Sequence, residues 1–167
     1  MFKKLKKIIS KTDRSLFKKF GSDKSLKLLE NIKEARTIFS YLNEIGEESK
    51  VRFVGGCVRK SLCGEYIDDI DLATSLEPHE VKTKLDKNDV KVMDIGISYG
   101  TVTAFINKKK FEITTLRRDL STDGRHANVE FTSDWKEDAQ RRDFTINAIY
   151  ADLEGRIYDP LNGILDL

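Results

Sequence analysis

The chemistry this sequence could perform starts with carboxylates two residues apart, in the run Asp68-Asp69-Ile70-Asp71-Leu72-Ala73-Thr74. Side chains two apart on an extended segment share a face, so Asp69 and Asp71 face one point and Asp68 points away. Like charges so close repel. The pair therefore reads as a divalent-cation site, as carboxyls with raised pKa values, or as solvated acids on an edge strand. Ahead of it, Gly55-Gly56-Cys57-Val58-Arg59 closes one apolar run and opens a helical pattern. Glycines there let the backbone approach a phosphate, the free N–H groups of the helix start favour its charge, and Arg59 adds a cation; a plain tight turn is the other reading. A third acid stands in Phe111-Glu112-Ile113-Thr114-Thr115, where alternation sets Glu112 on the face opposite Phe111 and Ile113. Alone it reads as an exposed strand residue. On a strand beside Asp69 and Asp71 it completes three acids around two magnesium ions, the arrangement of nucleotidyl transfer: one ion activates an attacking hydroxyl and the other holds the triphosphate and leaving group.

Positioning these groups takes short strands alternating with helices, and the apolar pattern predicts them. Strands are expected at Val51–Val54, Ile70–Ala73, Val90–Ile95, Thr101–Ile106 and Phe111–Thr115, the last two joined by a turn at Asn107-Lys108-Lys109-Lys110. Helices are expected at Cys57–Cys63, at Pro78–Leu85 with Pro in the first turn, and at Asp134–Ile149 with a break near Arg142. Arg117–Asn128 reads as a polar loop, and Tyr150–Tyr158 as a hairpin about Glu154-Gly155. Before all of this, Phe2, Leu5, Ile8, Ile9, Leu16, Phe17 and Phe20 make a basic amphipathic helical pattern, suited to RNA, to a partner protein or to a membrane surface. A second helical stripe, carried by Leu28, Ile32, Ala35, Phe39 and Leu42, runs to about Gly46.

The chain has 167 residues, 39% of them hydrophobic, which is one domain's worth of core. Its net charge of +2 divides unevenly: residues 1–50 carry 13 Lys and Arg against 7 Asp and Glu, and the remainder 17 against 21. A basic arm beside an acidic body points to a polyanionic partner at the arm and metal-binding carboxylates in the body. No apolar run reaches the roughly 18 residues of a membrane span. Cys57 and Cys63, with no second pair to complete a zinc site, read as reduced thiols in the cytoplasm.

Taken in order, Gly55-Gly56-Cys57-Val58-Arg59, Asp69-Ile70-Asp71-Leu72-Ala73-Thr74, Phe111 to Arg117, Asp123-Gly124-Arg125-His126, Arg141 to Ala148 and Asp159-Pro160-Leu161-Asn162-Gly163 resemble six collinear motifs of one family. It is the catalytic head of the CCA-adding tRNA nucleotidyltransferases and bacterial poly(A) polymerases, in the DNA polymerase β-like superfamily. The resemblance implies an α/β (α+β) fold, a mixed sheet flanked by helices, with a head over residues 51–167, a helical extension over 1–50, and the neck, body and tail domains absent. It implies Asp69 and Asp71 as the metal pair for two Mg²⁺ ions, Glu112 as the third acid, and Gly55, Gly56 and Arg59 at the triphosphate. Arg141, Arg142 and Asp143 fall on the ribose-recognition motif; read from the residues alone, they are equally a salt-bridge set on a helix surface. Asp123, Gly124, Arg125 and His126 fall on a flexible loop linked to switching between CTP and ATP.

The implied activity is transfer of AMP or CMP from ATP or CTP to an RNA 3′-hydroxyl, here a tRNA 3′ end, with a neck and body subunit encoded separately. A poly(A) polymerase head and a non-catalytic RNA-associated fragment are the alternatives. Two departures stand out. Lys60 occupies the position where the family turn carries an acid. Glu137-Asp138-Ala139-Gln140-Arg141 spells the family's base-pairing E-D-x-x-R element but overlaps the ribose motif, so it is not that element.

Overall fold

A computed structural model describes residue 29 and residues 31–43, 49–122 and 127–167. Helix α1 (Lys33–Leu42) buries Ala35, Ile38, Phe39 and Leu42 along one stripe. Its end is tied to the first strand: the Asn43 side chain accepts from the Lys50 backbone N–H (2.8 Å) and donates to Ser49 (3.1 Å). Strand β1 (Val51–Val54) runs into helix α2 (Gly56–Cys63), which stops at left-handed Gly64. Strand β2 (Ile70–Thr74) is followed by helix α3 (Pro78–Asp86), with Pro in its first turn, where a missing N–H costs nothing. Then come β3 (Lys91–Met93), β4 (Thr101–Ile106) and β5 (Lys109–Thr115). The β4–β5 turn is only Asn107-Lys108, both at positive φ.

Seven strands form one sheet in the order β3-β4-β5-β2-β1-β8-β9, where β8 is Tyr150–Ala151 and β9 is Ile157–Tyr158. Only β2 and β5 pair in parallel; every other neighbour is antiparallel. The α/β fold and mixed sheet expected from the sequence are therefore present. Strand parity divides the sheet into two faces. Phe53, Leu72, Ile113 and Val102 point into the main core against α1, α2 and α3. On the opposite face, Val54, Ala73 and Tyr150 pack with Leu116, Ala139 and Ala148 in a smaller cluster. That second cluster covers one end of the face, and Asp71 and Glu112 stand on the remainder.

Three expectations require correction. Arg117–Asn128 is no simple loop: β6 (Arg117–Thr122) and β7 (Ala127–Phe131) pair as a separate antiparallel ribbon. Its register sets Arg118 opposite Glu130, and an ion pair of 2.9 Å joins them, so polar cross-strand pairing replaces the apolar alternation that sequence reading looks for. The helix expected over Asp134–Ile149 is only α4 (Trp135–Gln140), capped by the Asp134 side chain on the Lys136 N–H (2.7 Å). After it, Thr145–Asn147 is one 3-10 turn packed on a second at Gly163–Asp166, and the chain must turn to deliver Tyr150 to the sheet. The strand expected over Val90–Ile95 is only Lys91–Met93, because residues 94–100 fold into tight turns. The basic arm, residues 1–20, lies outside the described residues. Among those described, no helix is long and apolar enough to cross a membrane.

Candidate active site

The parallel pairing of β2 with β5 brings the three acids together. Asp71 is the register partner of Glu112, and Asp69 lies two residues upstream at the mouth of β2. Asp69, Ile70, Asp71, Lys110 and Glu112 line a cavity of about 300 Å³. Burial, then the charges of Glu112 and Asp69, push the Asp71 carboxyl above its usual range, and the cations of Arg142 and Lys110 act against that shift. Lys110 also pairs directly with Glu112, its Nζ 2.6 Å from Oε1. Among the described residues no three His, Cys, Asp or Glu side chains are already gathered as a metal-ligand set.

The glycine turn lies on the other side of β2, because β1 runs antiparallel to β2 and ends where β2 begins. Gly55 adopts φ 70° and ψ −131°, a conformation closed to residues with a Cβ, and its N–H donates to the Ile149 carbonyl (3.3 Å). At Gly56 a Cβ would meet nothing within 4 Å, so the turn is open above that residue. Arg59 donates to the side-chain oxygen of Asn147. Cys57 is buried behind the turn, and its thiol donates to the Val54 carbonyl (3.2 Å) and the Asp71 carbonyl (3.5 Å). Burial pushes that thiol up to about 11, which makes it a packing group and not a nucleophile. Lys60, at the position of the departure from the family turn, forms an ion pair with Asp68 and lies within electrostatic reach of Asp69.

Arg141 and Arg142 converge on Asp138, which is 1% exposed. Asp138 accepts from Arg141 Nε (2.9 Å) and Nη2 (2.7 Å), from Arg142 Nε (3.2 Å) and Nη2 (2.9 Å), and from the Tyr150 hydroxyl (2.7 Å). Burial alone would raise the Asp138 carboxyl, but the charges of Arg142 and Arg141 and the tyrosine hydrogen bond hold it below its usual range. The helix-surface set of Arg141, Arg142 and Asp143 is not what forms: the two arginines share the buried Asp138 and leave Asp143 out. This pairing coexists with a position near the acids, since Arg142 acts electrostatically on Asp71. Asp143 is exposed and accepts from the Phe144 N–H (3.0 Å), apart from that network. Asp123, Gly124, Arg125 and His126 lie outside the described residues.

Sequence reasoning missed Lys110 in the cavity and Asp138 beneath the arginines. The signal for Asp138 was available: it stands three and four residues before Arg141 and Arg142, the spacing at which helical side chains meet.

The family described as "Poly A polymerase head domain" matches residues 51–167. The mitochondrial CCA tRNA nucleotidyltransferase 1 of Danio rerio is 45% identical over 119 residues, covering 71% of this chain and 28% of the relative. The CCA-adding enzyme of Lactococcus lactis is 40% identical over 146 residues, covering 84% and 35%. Among solved structures, the Bacillus stearothermophilus CCA-adding enzyme in complex with CTP superposes with a TM-score of 0.67 at 38% identity, covering 80% of this chain and 30% of that one. A tRNA nucleotidyltransferase complexed with a primer tRNA and an incoming ATP analogue gives a TM-score of 0.53 at 32% identity, over 70% and 32%. This chain spans about a third of the length of such relatives. With that match over residues 51–167, and with the three acids and the glycine turn at one end of a mixed sheet, the chain belongs to the poly(A) polymerase head-domain family.

Proposed function

We propose that this chain is the catalytic head of a template-independent RNA nucleotidyltransferase of the CCA-adding kind, transferring CMP or AMP from CTP or ATP to the 3′-hydroxyl of a tRNA. The observation that carries the reading is the in-register pairing of Asp71 with Glu112, with Asp69 beside them, next to the open turn at Gly55-Gly56. The relatives named as CCA-adding enzymes, and the neighbours solved with CTP and with a primer tRNA, favour CCA addition over poly(A) addition.

In the reaction, the RNA 3′-oxygen forms a bond to the α-phosphorus, the bond from that phosphorus to the bridging oxygen breaks, and pyrophosphate leaves. The backbone N–H groups at Gly56 and the start of α2 receive the triphosphate, and Arg142, fixed by Asp138, lends positive charge beside Asp71. Arg59, anchored by Asn147, stiffens the turn. Asp143, exposed and outside the arginine network, accepts a ribose hydroxyl, with Arg141 ordering the loop. The hydroxyl proton passes to a carboxylate oxygen at the cavity. Asp123, Gly124, Arg125 and His126, which lie outside the described residues, carry the motif that the resemblance links to switching between CTP and ATP.

Asp69, Asp71 and Glu112 are hard oxygen donors of the type that suits Mg²⁺, and the crowding that raises Asp71 is what a cation relieves. Asp69 and Asp71 would hold two magnesium ions, with Glu112 as the third acid; when bound, such ions polarise the phosphoryl group and neutralise developing charge. Lys60 is paired with Asp68 and also feels the charge of Asp69, so it sits at the edge of the acid site with its own charge offset. Cys63 is an exposed free thiol, which supports a reducing compartment such as the cytoplasm.

Calorimetry of the full chain with CTP and Mg²⁺ tests the reading. Binding that needs Mg²⁺ and disappears in Asp69→Ala is expected. No CTP or ATP binding by the wild type, or binding that Asp69→Ala leaves intact, would overturn it.

A further inference from the structure

Beside the acid cavity lies a second, larger groove, of about 560 Å³, that no step above uses. It shares Asp69, Ile70 and Lys110 with the acid cavity, so the two are continuous. Ile32 and Ile67 contribute apolar surface, and Tyr66, Lys108, Lys109 and Lys110 share the lining with them. Tyr66 is 86% exposed, the highest exposure of any large hydrophobic side chain among the described residues. A ring left in water beside a reactive cleft has a face to offer.

The three lysines are held differently. Lys109 pairs with Glu34 of α1 (3.0 Å) and Lys110 with Glu112 (2.6 Å), whereas Lys108 is exposed at the tip of the β4–β5 turn, with φ 67°. The acids Glu65 and Asp68 also line the groove, and Lys60 pairs with Asp68. The position in the sheet is equally informative. In the order β5-β2-β1, the glycine turn follows β1 and the lysines open β5, so they flank the acids of β2 from opposite sides. A nucleotide bound at the glycine turn leaves the β5 side for the other reactant.

We propose that this groove holds the single-stranded 3′ end of the acceptor RNA, with a base stacked on Tyr66 and its phosphates met by Lys108 and Lys109. The inference rests on the nucleotidyltransferase reading above and assigns its acceptor side. A ring together with neighbouring cations is the combination that binds single strands without reading sequence, because every base has a stacking face and every linkage a charge. Continuity with the acid cavity through Asp69 and Lys110 lets a strand in the groove end at the carboxylates.

Fluorescence anisotropy of the full chain with a short fluorescein-labelled single-stranded RNA ending in cytidine tests this, alongside calorimetric titration with CTP and Mg²⁺. Tyr66→Ala is expected to weaken RNA binding about 5- to 100-fold, and Tyr66→Phe to keep wild-type affinity. Lys108→Ala is expected to reduce the steepness of the log–log salt dependence by about 0.7. CTP affinity stays at the wild-type value in all three. Unchanged RNA affinity in both Tyr66→Ala and Lys108→Ala would overturn the assignment, as would a Tyr66→Phe defect as large as that of Tyr66→Ala, or a parallel loss of CTP affinity. The two readings fail separately: a wild type that binds CTP but not RNA refutes the groove alone, and one that binds RNA but not CTP refutes the nucleotidyltransferase reading.

Discussion

Replacing Asp138 by Asn should be among the most damaging single-atom changes available in this domain. The carboxylate is 1% exposed, yet it receives two hydrogen bonds from Arg141, two from Arg142 and one from the Tyr150 hydroxyl. An amide keeps the shape but cancels the charge that two guanidinium groups, each less than a fifth exposed, require. Removing one partner of a buried ion pair costs about 3–5 kcal/mol, because the remaining charge stays buried without compensation. For a chain of this size each kcal/mol shifts the melting temperature by about 2–4 °C, so a fall of about 6–20 °C is expected in differential scanning calorimetry at pH 7. The pH dependence adds a second readout. The arginines hold the Asp138 carboxyl below its ordinary 3.8, so its contribution is present above that value and is lost as pH falls through the folded-state value. Asp138→Asn should therefore narrow its gap to wild type below about pH 3.8. Lys82→Ala, at an exposed pair with Asp94, serves as the comparison and should leave the melting temperature near wild type. An Asp138→Asn protein that melts alongside Lys82→Ala would refute the claim that this network is a buried anchor.

Asp71 should behave in the opposite sense. Its carboxyl is raised above 3.8 by burial and by the charges of Glu112 and Asp69, so its contribution to stability is present below 3.8 and is lost as pH rises through the folded-state value. Asp71→Asn should accordingly melt higher than wild type at pH 7 without Mg²⁺, lose that advantage in acid, and abolish nucleotidyl transfer; a lower melting temperature at pH 7 in a fluorimetric pH series would mark the carboxylate as a structural partner instead. At Gly163 an added Cβ would overlap the carbonyl oxygen of Thr145, which is backbone and cannot swing aside. Gly163→Ala should destabilise by about 1–3 kcal/mol, read as a lower urea midpoint with unchanged slope, and an unchanged midpoint would mean that the two 3-10 turns separate at little cost.

How much of this was legible in the sequence depends on the range of the interactions that fix each element. Val51–Val54 and Thr101–Ile106 have the bounds their apolar patterns predict, since a buried face is written locally in the residue types. Asp69 and Asp71 could be assigned one face for the same reason. The pairing of Asp71 with Glu112 could not, because it needs the parallel β2–β5 register, which joins residues far apart in the chain. The β6–β7 ribbon was invisible to an apolar pattern because its backbone pairing sets a charged couple, Arg118 and Glu130, where a buried strand would set apolar side chains. The arginine motif is the most instructive place. A surface salt bridge and a functional motif looked like alternatives in the sequence, yet Arg141 and Arg142 both bind Asp138 while Arg142 still acts on Asp71. Two arginines on one carboxylate leave a surplus positive charge, and Asp138 and Tyr150 fix where it sits. A cation held in this way needs little reorganisation when negative charge arrives, so on the proposed nucleotidyltransferase reading the contacts that stabilise the fold would also hold a fixed positive charge near Asp71.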